Sequence, residues 1–170
     1  CAFNNDAAYV VDQVQSNKVY NLSATVGMAE PLHSSSVGKC ILAFRAPFAA
    51  VRLLKDYPLT AYTPKTITDK DILMEQLAII RSQGYAVDDE EIALGVRCIA
   101  APIYDYRGEV NYSLGVSGTT NNIKPAAMDR YLSALLSASS QISSALGYKC
   151  GRQRPEVQPP VPYGDSGREE

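Results

Sequence analysis

The chain has 170 residues, 46% of them hydrophobic, and a formal net charge of −2. That length and composition predict one domain with a substantial core. The charge excludes a global field that would draw this piece onto nucleic acid or an anionic membrane. No apolar run approaches the roughly 18 residues needed to span a bilayer, and no signal peptide is visible, so the expected setting is cytoplasmic, without membrane contact. The four cysteines, Cys1, Cys40, Cys98 and Cys150, form no C-x-x-C pair. No metal or other cofactor is expected from them, and Cys40 and Cys98, in apolar runs, read as buried reduced thiols.

In chain order, Cys1-Ala2-Phe3-Asn4 looks like part of a strand. Residues 7–15 and 19–26 predict a hairpin of β-branched strands about the polar turn Ser16-Asn17-Lys18. Ser34 or Ser35 can cap a helix running to about Arg45, and Pro47 suits the first turn of a short helix over 47–56. Asp69 follows Thr68 at the start of a third helix, and Gly84 ends it. A short strand then closes near Asp88. Residues 96–104 and 109–117 predict an antiparallel pair about Arg107-Gly108. Pro125 opens a long helix with the apolar stripe Met128, Tyr131, Leu132, Leu135, Leu136, Ile142 and Leu146, ended by Gly147. The order of strands, helices, strands and helix points to an α/β (α+β) fold, an antiparallel sheet with helices packed on it. Residues 1–149 are expected to form the domain, and the proline-rich, charged stretch 150–170 a disordered tail.

Two stretches suggest one small-molecule pocket. Pro31-Leu32-His33-Ser34-Ser35-Ser36-Val37-Gly38-Lys39 leads into an apolar helix, so Ser35, Ser36 and Val37 sit where backbone N–H groups attract anions. One serine serves as a simple cap, which leaves the others free. Gly84-Tyr85-Ala86-Val87-Asp88-Asp89-Glu90-Glu91 is an acidic turn that runs into a strand. Asp88 is the candidate to accept a ligand hydroxyl; Asp89, Glu90 and Glu91 read as solvated or structural. Cys98 faces either the ligand or plain core. Gly115 and Ser117 share one side of the last strand, where glycine marks a close approach. Leu22, on the hairpin, is a candidate apolar wall. His33 reads as a backbone-bonded histidine, Arg97 as a partner within the acidic block, and Lys39 as part of a solvated helix face. With one histidine and no G-x-S-x-G, no nucleophile–base pair is identifiable, so no catalysis is expected.

The Pro31–Lys39 block, the block from Gly95 to Pro102, the threonine run Thr63 to Thr68, the Gly84–Glu91 block and Ser117-Gly118 stand in an order that resembles the effector-binding domain of the IclR family of bacterial transcriptional regulators. The resemblance covers roughly residues 1–148. It implies a GAF-like fold, a homodimer or homotetramer, a pocket for a small organic acid, and DNA binding only through an N-terminal winged helix-turn-helix absent from this chain. It also strengthens the ligand assignment of Ser35, Ser36, Val37 and Asp88. Three other readings remain. A small hydrolase lacks its residues. A nucleotide- or tetrapyrrole-sensing module predicts a larger aromatic pocket, in a chain with no Trp and three Phe. A purely structural dimerisation domain predicts a pocket filled by its own side chains.

Overall fold

The computed structural model describes residues 1–4, 7–15 and 24–149. Along the chain run β1 (Ala2–Asn4), β2 (Ala7–Tyr9), β3 (Ala29–Glu30), α1 (Ser36–Phe44), α2 (Pro47–Leu54), α3 (Lys70–Gln83), β4 (Ala86–Asp89), β5 (Val96–Tyr104), β6 (Val110–Thr119) and α4 (Pro125–Ala145). The strands make one antiparallel sheet in the order β3-β2-β1-β6-β5-β4. A flat sheet of six strands would hold its edges about 24 Å apart. Here the Asp88 charge on the β4 edge acts on Glu30 on the β3 edge, so the sheet curls and brings its two edges toward one another.

Each face of the sheet carries its own core. On one face α1, α2 and α3 pack with Ala8, Ala86, Ala100 and Val110; on the other, α4 covers Ile99, Ala101, Leu114 and Val116. α1 is buried at Ser36 and from Gly38 to Phe44, as expected of a helix that is apolar nearly all round. Its entry is set by Ser35, whose hydroxyl accepts from Gly38 N at 2.9 Å and donates to Pro31 O at 2.7 Å. Gly38 is required there, because a Cβ would lie 2.5 Å from Pro31 O. At α3, Asp69, within the N-cap segment Thr68–Asp71 that the sequence suggests, caps Asp71 N and Ile72 N, and Gly84 ends the helix at φ 88°, as the sequence predicts.

The structure departs from the sequence reading in three elements. Strand 7–15 shortens to Ala7–Tyr9, and its partners are β1 and Ala29–Glu30 rather than 19–26. Residues 24–26 are not strand, and 16–23 lie outside the described residues. The strand predicted over 109–117 runs from Val110 to Thr119. Along α4 the buried positions are Leu132, Leu135, Ser139 and Ser143, while Leu136, Ile142 and Leu146 are 39%, 37% and 43% exposed. The two buried serines lie beside an irregularity in β5–β6 pairing between Ile103 and Tyr104. Backbone groups beside it need polar partners: Ser139 Oγ donates to Pro102 O, and Tyr104 N donates to Ser143 Oγ at 3.0 Å. The proposed tail, 150–170, lies outside the described residues.

Candidate functional site

The register of the sheet assembles the site. Asp88 on β4 lies opposite Cys98 on β5, which lies opposite Ser117 on β6. Residues directly opposite across strands share a face, so the three side chains form a polar row. The next row on that face is Ala86, Ala100 and Gly115, which is small throughout. The first turn of α1 crosses this small row. A Cβ on Gly115 would lie only 2.8 Å from Val37 Cγ1, and Ser113 Oγ donates to Val37 O at 3.3 Å. Thus Ser35, Ser36, Val37, Asp88, Cys98, Gly115 and Ser117 come together on one face of the sheet. Leu22 lies outside the described residues.

Their roles differ. The Ser35 hydroxyl is consumed by capping α1, as one of the serines was expected to be. Within α1, Gly38 N and Lys39 N are taken by Ser35, while Ser36 N and Val37 N have no intrahelical carbonyl within reach. These two amides give the helix end its anion-attracting character. Asp88 is 1% exposed, and burial raises its carboxyl above the ordinary range, opposed by the Glu91 N–H and the Lys39 charge. Its Oδ1 accepts from Glu91 N at 2.7 Å. Cys98 lies directly opposite both Ser117 and Asp88, and burial pushes its thiol up to about 12, so it stays protonated at neutral pH and is a poor nucleophile. It is half-buried, whereas Cys40 is fully buried.

Lys39 corrects the sequence reading. It is 1% exposed and forms an ion pair with Glu91. A solvated position would require the α1 face bearing Lys39 to meet water; instead the Asp88–Glu91 turn closes over it. Thr63 Oγ1 donates to Glu90 O at 2.7 Å and Thr66 Oγ1 to Glu91 O at 2.6 Å, fastening this turn to the segment before α3. The same segment holds the other side of the α1 entry: Leu32 N donates to the Tyr57 hydroxyl at 2.9 Å, and His33 Nε2 donates to Thr60 O at 3.0 Å. His33 is therefore the backbone-bonded histidine expected, with its pKa lowered chiefly by burial. Arg97 pairs with Asp89, also as expected. His33 Nδ1, Ser34 Oγ and Glu91 Oε2 are buried without a hydrogen-bond partner among the described residues.

Sequence reasoning missed Glu30. Burial first, and then the Asp88 charge, raise its carboxyl above the ordinary range. Its one visible signal was position, immediately before the Pro31 block. A second cleft, of about 190 Å³, lies by α4 between Pro102, Leu136, Ser140 and Tyr148, away from these residues. Among the described residues no cluster of three or more metal-ligating side chains gathers, and no helix is long and apolar enough to cross a membrane.

A polar row and a helix N-terminus on one face of a curled antiparallel sheet place the chain in the mixed α/β class. Comparison with known proteins gives the family. The model of the bacterial transcriptional regulator IclR C-terminal region matches residues 1–144. The HTH-type transcriptional regulator BhcR of Paracoccus denitrificans is 36% identical over 140 residues, covering 82% of this chain and 50% of BhcR. Among solved structures, the C-terminal domain of Escherichia coli KdgR superimposes with a TM-score of 0.74 at 30% identity, covering 86% of this chain and 85% of that one. The inducer-binding domain of a double mutant of PobR from Acinetobacter, in complex with 3-hydroxybenzoic acid, matches with a TM-score of 0.68 at 29% identity over 75% of this chain and 74% of that one. The chain belongs to the IclR family of bacterial transcriptional regulators and corresponds to its C-terminal region. It spans about half the length of curated relatives such as BhcR.

Proposed function

We propose that this chain is the effector-sensing part of a transcriptional regulator and takes a small carboxylate between the α1 N-terminus and the Asp88–Cys98–Ser117 row. The observation that carries this reading is the placement of the α1 N-terminus and the buried Asp88 carboxyl on one sheet face. The ligand carboxylate accepts from Ser36 N and Val37 N, and a ligand hydroxyl donates to Asp88. Cys98, Gly115 and Ser117 form the walls. The inducer-binding domain of PobR, a relative by structure, holds a hydroxylated carboxylic acid, which supports this ligand class.

Regulation follows by population shift. The ligand binds one subunit arrangement of a dimer or tetramer better than another, because equal affinity for both would shift nothing. A coupling of about 1–3 kcal/mol changes operator affinity about 5–150-fold. DNA contact belongs to a part of the full-length protein beyond this GAF-like domain, which is cytoplasmic in this reading.

The test is thermal unfolding of this chain against small hydroxy-, oxo-, sugar and aromatic acids. At 100 times its dissociation constant a ligand adds about 2.7 kcal/mol, which raises the midpoint by roughly 2–4 °C or more. A shift selective for one acid class is expected. No shift with any acid would refute the carboxylate reading.

A further inference from the structure

We propose that Val37 is the specificity-determining wall of the site and confines it to narrow, unbranched acids by filling the notch above Gly115. The inference rests on the carboxylate reading above. Three observations carry it. The row Ala86–Ala100–Gly115 lies beside the Asp88–Cys98–Ser117 row on the same face, and it has nothing larger than a methyl to occupy the space above it. α1 covers the two alanines, which are fully buried. At the Gly115 end that space is taken by Val37 Cγ1, so close that no Cβ fits beneath it.

The wall is also stiff. Val37 lies in the first turn of α1 and is only half-buried, so its side chain meets both the sheet and the site. A β-branched side chain in a helix has one strongly preferred rotamer, and it cannot swing aside for a wider ligand. Its backbone is held as well, through the Ser113 bond to Val37 O and the Ser35 cap one turn earlier. A ligand carboxylate on the Val37 amide therefore has the valine methyls beside it. A planar ring extending from that carboxylate meets them; a thin chain bearing a hydroxyl passes toward Asp88.

The experiment measures dissociation constants by calorimetry for this chain, Val37→Ala and Val37→Thr. The probes are lactate, 2-hydroxybutyrate, benzoate and 3-hydroxybenzoate. Circular dichroism confirms that each variant is folded. The unsubstituted chain binds the linear acids more tightly than the ring acids. Val37→Ala removes two methyls and shifts the ratio toward the ring acids by about tenfold or more. Val37→Thr keeps the branched shape and preserves the original ratio. A ring-to-linear ratio unchanged in Val37→Ala, or a preference for ring acids in the unsubstituted chain, overturns the wall while leaving the carboxylate reading standing. Failure of all three folded proteins to bind any of the four acids overturns both.

Discussion

Lys39 and Glu91 hold each other with side chains 1% and 10% exposed, an arrangement whose cost is hidden as long as both are present. Removing one partner leaves an uncompensated buried charge, worth about 3–5 kcal/mol. Lys39→Met is therefore expected to lower unfolding stability in urea by that amount. Lys39→Met combined with Glu91→Leu is expected to lose less, because the Glu91 carboxylate is no longer stranded, although Asp88 still loses the Lys39 charge. Asp88 carries two duties. In the proposed function it accepts a ligand hydroxyl, and its carboxylate caps Glu91 N inside a buried turn. Asp88→Ala should weaken acid binding and also cost about 1–3 kcal/mol from the unsatisfied amide. Ser117→Ala should weaken binding with little change in the urea midpoint. His33 provides a pH signature, since it is the chain's one histidine. Its folded pKa lies below 6.5 because burial disfavours the imidazolium. Between 6.5 and that lowered value the unfolded chain binds a proton that the folded chain does not, so this contribution falls as pH falls through the window. The buried carboxyls Glu30 and Asp88, raised when folded, act in the opposite sense at lower pH. The His33 part is isolated as the difference in urea stability between pH 7.5 and 5.5 for the unsubstituted chain and for His33→Gln. A smaller fall, or a rise, in the variant is expected.

At the scale of elements, the α1 entry depends on close approach as much as on hydrogen bonds. Ser35→Ala removes the cap and should cost about 1 kcal/mol. Gly115→Ala is a sharper probe of the contact between α1 and β6. The new methyl overlaps Val37 Cγ1 at 2.8 Å, and such overpacking costs about 1–3 kcal/mol. Val37→Ala in the same chain should restore much of it, a non-additivity expected only of residues in contact and measurable by urea denaturation of the two single variants and the double. Helix boundaries were legible because caps are local: Asp69, Gly84 and Pro125 act within one turn of their own positions. The short edge strand β3 was not legible, whereas the other edge, β4, was. β3 has two residues, too few to show an alternating pattern, and its pairing with β2 joins segments separated by a long stretch of chain. The α4 stripe misled for a related reason. Past Leu135 the buried positions are Ser139 and Ser143, which bond to the β5 backbone, and no apolar periodicity within α4 records that.

For the whole molecule, the curl of the sheet is what the proposed site depends on. It brings the β3 edge and the β4 edge within reach of each other's charge, with the α1 N-terminus on the same face. This chain by itself, at net charge −2, is expected to leave the fluorescence anisotropy of a labelled DNA duplex unchanged at moderate salt, with or without an acid ligand. The amino-acid order alone determined the sheet-and-helix class, a serine cap at the start of α1, the glycine end of α3, the backbone-bonded role of His33 and the membership of Asp88, Cys98 and Ser117 in strand segments. These follow from local chemistry, which caps, turns and period-two alternation express within a few residues. Only the tertiary structure decided that Lys39 is buried against Glu91, that Glu30 feels Asp88, and that Val37 rests on Gly115. Each of those pairs is distant in sequence, and their contacts exist only because the sheet curls around α1 and closes its edges over it.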